Sequence, residues 1–250
     1  MSSHQRQQQI MTLIKEKHFC KYSVLAKELF VSESTIRRET LKMETQGLLK
    51  RTLGGITEIE VPEDVPYDYS VTQNLKEKRQ LAHKAKSIIK PGMSLLIDSS
   101  TTCHVFLREI SDIDNLYIVT NGLLTALEAS KQASWQVSII GGNLNSRLRN
   151  TSGTKAIQDL ENYHADCCVF SCRGITNQGA TDANENEAYM KRAFAKHSDN
   201  IMLLVDSTKL EKKQLYVSTR LDKLDYLACD KELPSDLNDV MIKNSVKLLF

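Results

Sequence analysis

Apolar residues recur at helical spacing in the first part of the chain. Residues 4–17 carry an apolar stripe, Leu25 and Leu29 lie one turn apart in the next segment, and Ile36 and Met43 lie seven residues apart in a third. Spacings of four and seven residues place side chains on one face of a helix. The pattern therefore predicts three successive helices.

From Ser94 onward, short apolar runs alternate with amphipathic segments. This alternation predicts an α/β domain with a mostly parallel sheet that is covered on both faces. The predicted strands are SLLID, LYIVT, QVSII, CCVF, IMLLV and a closing VKLLF. The predicted helices are 74–89, 101–110, 122–131, 154–162 and 184–198. Residues 56–72 contain two prolines and five acidic residues, which is typical of a linker. We therefore predict a first domain at 1–56, a linker at 57–73 and a second domain at 74–250.

The second and third helices are joined by a tight turn, as in a helix-turn-helix. Ser32 is placed to cap the third helix, and the polar residues at the start of that helix point away from its apolar stripe. A basic segment with Gly54 and Gly55 follows and is suited to a wing. An ordinary surface hairpin with solvated arginines is the alternative. The residues that we expect to contact DNA are Ser32, Ser34, Thr35, Arg37, Arg38, Lys50 and Arg51.

The charge distribution agrees with this prediction. The chain has 33 Lys and Arg against 31 Asp and Glu, a net charge of +2, but residues 1–55 alone contain 10 basic and 5 acidic residues. A local excess of positive charge favours contacts with phosphates and makes binding depend on salt. No aromatic platform accompanies it, which argues against single-stranded RNA as the partner.

Polar and small residues follow each predicted strand of the second domain. The segments are DSSTT after SLLID, TNG after LYIVT, GGN after QVSII, CRG after CCVF, and DSTK after IMLLV. One such segment is ordinary turn chemistry, but the carboxyl ends of parallel strands meet at one edge, where ligands of α/β sheets bind. Hydroxyls, backbone amides and cations suit a phosphate, and carboxylates suit hydroxyls. We expect a small phosphorylated polyol, with Arg147 contributing charge from the loop after GGN.

Both halves resemble the DeoR family of bacterial transcriptional regulators. VSESTIRRETLKMETQGLLKRTLGG is similar to the DNA-binding signature of that family, and DSSTT, VTNG, IGGN, CRGIT, GATDANENE and DSTK are similar to its effector domain. The resemblance implies a fold like that of ribose-5-phosphate and glucosamine-6-phosphate isomerases. It also implies that the effector contacts Asp98, Ser100, Thr101, Thr102, Thr120, Asn121, Gly142, Glu187, Lys191 and Lys209. Glu39, Thr40, Leu41 and Leu53 depart from the pattern of the signature.

The remaining features argue against other classes. Six cysteines without paired CxxC spacing suit a reduced cytoplasm, and on a strand Cys167 would face away from Cys168 and Cys172, so we expect no metal site. We expect no cofactor either. The chain shows no signal-peptide stretch and no apolar run long enough for a membrane span, so we expect a cytoplasmic protein.

The expected function is a transcriptional repressor of a carbohydrate-uptake or catabolic operon that binds a double-stranded operator and responds to a phosphorylated sugar. The alternative is a sugar-phosphate isomerase with a DNA-binding arm, in which a carboxylate of DANENE acts as a general base. The sequence leaves open whether the protein is a homodimer or a homotetramer. It also leaves open whether the effector releases or promotes DNA binding.

Overall fold

The computed structural model describes residues 3–45, 47–58 and 67–250, and the chain forms two compact units, Met1–Pro66 and Tyr67–Phe250. The predicted linker, 57–73, falls on both sides of this division. Residues 59–66 of that linker lie outside the described residues. Tyr67, the first residue of the second unit, is 6% exposed.

The described residues of the first unit form three helices and a small antiparallel sheet in the order β1-β3-β2. Its helices are α1 (Ser3–Lys17), α2 (Tyr22–Glu28) and α3 (Glu33–Thr45), and its strands are β1 (Phe19–Lys21), β2 (Lys50–Thr52) and β3 (Gly55–Thr57). Ile14, Leu25, Ile36 and Met43 are fully buried, so the predicted apolar stripes do meet in one core. This is the predicted winged helix-turn-helix.

The second unit is built on a seven-stranded parallel sheet with the order β15-β14-β12-β9-β4-β5-β6. Its strands are β4 (Ser94–Ile97), β5 (Tyr117–Thr120), β6 (Gln136–Ile139), β9 (Ala165–Ser171), β12 (Ser198–Val205), β14 (Tyr226–Cys229) and β15 (Lys247–Leu249). Further strands form a hairpin, β7 (Asn143–Asn145) with β8 (Asn150–Ser152), and an antiparallel sheet of β10 (Gly174–Thr176), β11 (Gly179–Asp182) and β13 (Tyr216–Thr219). The predicted mostly parallel α/β domain is confirmed.

Helices cover both faces of the main sheet. The helices of this unit are α4 (Tyr67–Ser70), α5 (Leu75–Lys86), α6 (Thr101–Glu109), α7 (Leu123–Ala129), α8 (Thr154–Leu160), α9 (Glu185–Lys196) and α10 (Ser235–Lys243). One buried apolar cluster includes residues of α5, α6 and α7, and a second includes residues of α8, α9 and α10. Cys167 belongs to the first cluster, whereas Cys168 and Cys172 belong to the second, as the strand periodicity predicted.

The strand order reverses direction at β4. From β4 the chain proceeds to β5 and β6 on one side, and later strands are added on the other side, beginning with β9. Such a reversal opens a crevice at the carboxyl ends of the two central strands, where ligands of open α/β sheets bind. In this chain those ends carry Asp98, after β4, and Ser171, the last residue of β9.

Candidate functional sites

The N-terminus of α3 is capped as the sequence predicted. The backbone amide of Thr35 donates to Ser32 Oγ at 3.2 Å, and that hydroxyl also lies 2.8 Å from Ser34 Oγ. Full burial of Ile36 fixes the rotation of the helix and leaves the two following arginines on the outside. Ser32 and Ser34 are exposed as well, and Thr35 is half-buried.

Arg37 and Arg38 have different surroundings. The guanidinium carbon of Arg37 lies 4.1 Å from the ring centroid of Tyr22, and an Arg37 nitrogen lies 3.6 Å from a carboxylate oxygen of Glu33. Arg38 is exposed and makes no ion pair with any described residue. A guanidinium without a protein partner can form a bidentate contact with a base edge or a phosphate at little cost. Arg38 therefore has fewer internal contacts than Arg37 to lose on binding DNA.

The wing is the hairpin of β2 and β3. Gly54 has φ +85° at its turn, and Leu53 beside it is fully exposed. Lys50 is exposed, whereas Arg51 is half-buried, donating from its backbone amide to Glu44 at 2.7 Å and from Nε to the Tyr22 hydroxyl at 3.1 Å. Arg51 thus links the wing to α2 and α3, and Lys50 is the freer cation of the two.

Three of the departures from the family signature lie in α3. Glu39 is 4% exposed and accepts hydrogen bonds from Arg6 and Ser3, so its carboxylate joins α3 to α1. Thr40 is fully buried, and its hydroxyl donates to the Ile36 carbonyl at 2.8 Å, which satisfies a polar group inside the core. Leu41 is 47% exposed on the outer side of the helix.

In the second unit, Asp98 joins the two central strands at the reversal point. Its carboxylate accepts from the Ser100 amide at 2.9 Å and from the Ser171 amide at 3.2 Å, and the side chain is buried. The Ser100 hydroxyl accepts from the Cys103 amide and caps α6. Thr101 and Thr102 follow, both buried. The predicted DSSTT segment therefore forms the N-terminus of a helix at the strand edge, where backbone amides favour an anion.

Lys191 of α9 lies among carboxylates. Its Nζ is 2.7 Å from an Asp182 oxygen and 3.9 Å from an Asp98 oxygen. Burial alone would lower the pKa of Lys191, but Asp182, Asp98 and Glu187 outweigh it and raise that pKa. Glu187 accepts a 2.7 Å hydrogen bond from Asn150 Nδ2, and burial raises its pKa. Residues distant in sequence thus form one charged group, which we call the carboxylate cluster: the buried Asp98, Asp182 and Lys191 and the half-buried Glu187.

Two further lysines, Lys78 and Lys209, lie near the same strand ends. Lys209 Nζ is 3.1 Å from Ser171 Oγ and 3.2 Å from an Asp206 oxygen. Lys78 Nζ donates to Thr101 Oγ1 at 2.9 Å and to the Ser70 carbonyl at 2.7 Å. Burial, together with the charge of Lys209, lowers the pKa of Lys78 to about 7. We call Lys78 and Lys209 the lysine pair.

Sequence reasoning did not single out Lys78. A signal was present, because Lys78 lies three, four and seven residues before Leu81, Ala82 and Ala85, which are fully buried. A lysine within an apolar helical stripe is a buried cation, and buried cations are rare unless they have partners. Asn150 donates hydrogen bonds to both Glu187 and Ser99, but nothing in the sequence around it indicated this role.

The other predicted effector residues are positioned as follows. Thr120 and Asn121 are buried at the end of β5, and Asn121 Nδ2 donates to the Thr151 carbonyl at 2.9 Å. Gly142 has φ +150°, and a Cβ there would lie 2.8 Å from the Ser152 carbonyl oxygen, so the backbone leaves no room for a side chain. Arg147 is exposed in the loop between β7 and β8 and is not among the buried residues of the strand edge.

Several buried oxygens at this edge accept or donate no hydrogen bond within the described chain. They belong to Thr102 (Oγ1), Asn121 (Oδ1), Asn150 (Oδ1) and Asp182 (Oδ2). Buried polar atoms are nearly always paired, so a group of unpaired ones indicates a place where a polar ligand completes the hydrogen bonds. Two cavities of this unit lie away from this edge, and a third lies beside it, between the first turns of α8 and α9, where Gly153, Thr154 and Asn186 line it. The unpaired oxygens of Asp182 and Asn150 belong to side chains that contact Lys191 and Glu187, so they coincide with the charged groups of this edge.

None of the helices in the described part of the chain is long and apolar enough to cross a membrane. No cluster of three or more potential metal ligands occurs among the described residues.

Comparisons with known proteins cover both units. The model of the DeoR-like helix-turn-helix domain matches residues 6–61, and the model of the DeoR C terminal sensor domain matches residues 73–231. The HTH-type transcriptional regulator GolR of Listeria innocua is 28% identical over 93% of this chain and 92% of its own. The glycerol-3-phosphate regulon repressor of Escherichia coli is 25% identical over 99% of both chains.

Among solved structures, ribose 5-phosphate isomerase A from Methanocaldococcus jannaschii is similar over 55% of each chain, with 14% identity and a TM-score of 0.40. The relatives that align over nearly their whole length are named as regulators and not as enzymes, so the isomerase alternative is set aside. Because the two domain models together match most of the chain, it belongs to the DeoR family of DNA-binding transcriptional regulators.

Proposed function

We propose that this regulator represses a carbohydrate-uptake or catabolic operon and that a phosphorylated sugar controls its binding to the operator. The observation that carries the proposal is the strand edge of the second unit. There the carboxylate cluster, the lysine pair and four unpaired buried oxygens lie around the N-terminus of α6. This set has the chemistry that a ligand with hydroxyls at one end and a phosphate at the other requires.

The lysine pair suits the phosphate. Lys78 contacts Thr101 in the first turn of α6, and Lys209 contacts Ser171 at the end of the neighbouring strand. Two nearby lysines repel each other, which is one cause of the low pKa of Lys78. A phosphate dianion would offset this repulsion and keep Lys78 protonated, while the free amides at the start of α6 would bind its oxygens. Ser100, Thr101 and Thr102 supply hydroxyls to the same end.

The carboxylate cluster suits sugar hydroxyls. Asp182 and Asn150 each have a buried oxygen without a partner in the described chain, and both atoms can accept a hydrogen bond from a hydroxyl. Glu187 and Lys191 hold these groups in place through hydrogen bonds to Asn150 and Asp182. Thr120, Asn121 and Gly142 complete the proposed contact set at the adjoining strand ends, and Arg147 would reach the ligand only from its exposed loop.

On DNA, the proposed contacts are Arg37 and Arg38 from α3, the hydroxyls of Ser32, Ser34 and Thr35, and the wing residues Lys50 and Arg51. All of these residues except Thr35 and Arg51, which are half-buried, are exposed on one unit, and this exposure supports the assignment. A homodimer or homotetramer would place α3 helices in successive major grooves of a symmetric operator. The name of the glycerol-3-phosphate regulon repressor supports repression as the sense of regulation.

A thermal-shift panel tests the effector half of the proposal. The purified full chain is heated with a series of aldose and ketose phosphates, and with the same sugars lacking phosphate. A ligand that binds only the folded chain raises its melting temperature by mass action, so one phosphorylated sugar should stand out. Lys209→Met should abolish the shift, and Lys213→Met, an exposed lysine elsewhere in the unit, should keep it. Equal shifts with and without phosphate would contradict the proposal.

A further inference from the structure

A second binding feature lies on the second unit, away from the carboxylate cluster and the lysine pair. It is a cavity of about 420 Å³ that is lined by α9, by Ile201 of β12, and by β13 with the turn that follows it. This volume falls within the range of about 300–1,000 Å³ that small-molecule sites occupy. Ala195, Ile201 and Val217 form an apolar wall, and Val217 is 43% exposed.

The rim of this cavity is cationic. Arg192, Lys196, Arg220 and Lys223 line it, and all four are exposed. Arg220 pairs with Asp222 at 2.9 Å, but neither Lys196 nor Lys223 forms an ion pair with a described residue. The rim therefore retains positive charge that the described chain does not neutralise.

Two further groups at this cavity, the guanidinium of Arg192 and the hydroxyl of Thr219, can contact a ligand. The guanidinium of Arg192 is held by a 3.3 Å hydrogen bond from Nε to the Ala188 carbonyl and lies 4.6 Å from the Tyr189 ring centroid, so its outer nitrogens are oriented in advance. Thr219 lines the cavity, is 5% exposed, and its buried hydroxyl has no hydrogen-bond partner within the described chain. Buried polar side-chain atoms nearly always have a hydrogen-bond partner, so this hydroxyl is available to a ligand.

We propose that this cavity binds a small organic anion whose apolar body lies against Ala195, Ile201 and Val217 and whose phosphate or carboxylate group contacts the cationic rim. Apolar walls without the cations would favour a neutral ligand, and the cations without the walls would favour an inorganic anion. Their combination selects a ligand that has both parts. The same helix, α9, carries Lys191 of the carboxylate cluster next to Arg192 of this cavity.

Titration calorimetry of the full chain with 1-naphthyl phosphate tests this site, with 1-naphthol and inorganic phosphate as the two partial ligands. We expect 1-naphthyl phosphate to bind more tightly than either. Lys196→Gln with Lys223→Gln should weaken binding about tenfold, at roughly threefold for each charge removed. Val217→Glu, which places a carboxylate at the wall, should abolish it. The matched control, Lys243→Gln with Lys247→Gln, removes the same charge from another exposed surface and should change nothing.

Lys209→Met separates this site from the proposed effector site. Binding of 1-naphthyl phosphate that survives Lys209→Met and is lost in Val217→Glu supports the cavity. Binding that is lost in Lys209→Met and kept in Val217→Glu would place the compound at the strand edge and overturn the inference. Equal affinity for 1-naphthol and 1-naphthyl phosphate would overturn it as well, since the rim would then contribute nothing.

Discussion

The two units hold their functional cations in opposite environments. In the first unit, Arg38 and Lys50 are exposed and have no ion pair with a described residue. In the second unit, Lys78 and Lys191 are 3% and 4% exposed and are surrounded by protein oxygens. The cations of the first unit face solvent, whereas protein oxygens take the place of solvent around the cations of the second unit.

This difference sets how each unit discriminates between ligands. Exposed cations attract any polyanion, and their affinity for it falls as salt screens the charges. Specificity must then come from contacts with base edges and from the shape of the DNA. Buried cations are costly unless every neighbouring group is matched, so they reject ligands that leave a partner unsatisfied. A polyanionic duplex suits the first environment, and a small ligand with defined hydroxyls suits the second.

The largest expected effect concerns Lys191. Lys191→Met leaves the buried carboxylates of Asp182 and Asp98 without their cation, so we expect the free energy of unfolding to fall by about 3–5 kcal/mol. Urea denaturation measures this loss. Lys155→Met, at an exposed position of α8, should change stability by less than about 0.5 kcal/mol. Equal losses in both variants would mean that the carboxylate cluster is not the buried ionic group described above.

The next effect is on operator binding. Arg38→Ala should weaken binding by about 1–3 kcal/mol, or roughly five- to 150-fold, because a specific guanidinium contact is lost. Fluorescence anisotropy with an operator fragment measures the change. Lys15→Ala removes the same charge from an exposed position of α1 and serves as the control. If the two variants weaken binding equally, net charge alone, and not the position on α3, would account for the affinity.

Two capping serines allow the units to be compared with the same chemical change. Ser32 caps α3 and Ser100 caps α6, so replacing either with alanine should cost about 1 kcal/mol of stability. We expect Ser32→Ala to reduce operator affinity and to leave effector affinity unchanged. Ser100→Ala should reduce effector affinity and leave operator affinity unchanged. Ser87→Ala, at an exposed helix end, is the control. A Ser100→Ala variant with unchanged effector affinity would remove α6 from the proposed phosphate site.

The smallest effect is a pH dependence that only the second unit should show. The pKa of Lys78 is lowered to about 7 in the folded chain, well below its value in an unfolded chain. The unfolded chain therefore binds more protons between about pH 7 and pH 10.5, and stability rises with pH in that range. A bound phosphate keeps Lys78 protonated, so effector affinity should fall about fivefold between pH 7 and pH 8.

Calorimetry at the two pH values checks this prediction. Lys78→Arg, whose side chain stays charged, should abolish the pH dependence and keep the binding. A dependence that persists unchanged in Lys78→Arg would have to arise from another group, and the proposed role of Lys78 would be wrong.

Features that depend on local periodicity were predicted from the sequence. The apolar stripes of α1 and α3, the cap at Ser32 and the strand and helix alternation after Ser94 are all present. The opposite orientations of Cys167 and Cys168 were predicted because side chains alternate along a strand. These features require only neighbours within one element.

Features that depend on contacts across the fold were not predicted. Arg51 meets Tyr22, which lies 29 residues earlier, and this contact turns an expected wing cation into a link between elements. Glu39 is buried because Arg6 reaches it from another helix. Asn150 of β8 joins Ser99, in the turn after β4, to Glu187 of α9. Such partners are set by packing, and no spacing along the chain encodes them.

The most direct test of the central claim is the coupling between the two units. Operator affinity is measured with and without the sugar phosphate that gives the largest thermal shift, and the affinity for that sugar phosphate is measured with and without operator. Linkage requires the two ratios to be equal. We expect the effector to weaken operator binding, and the operator to weaken effector binding by the same factor. An operator affinity that no phosphorylated sugar changes would contradict the account.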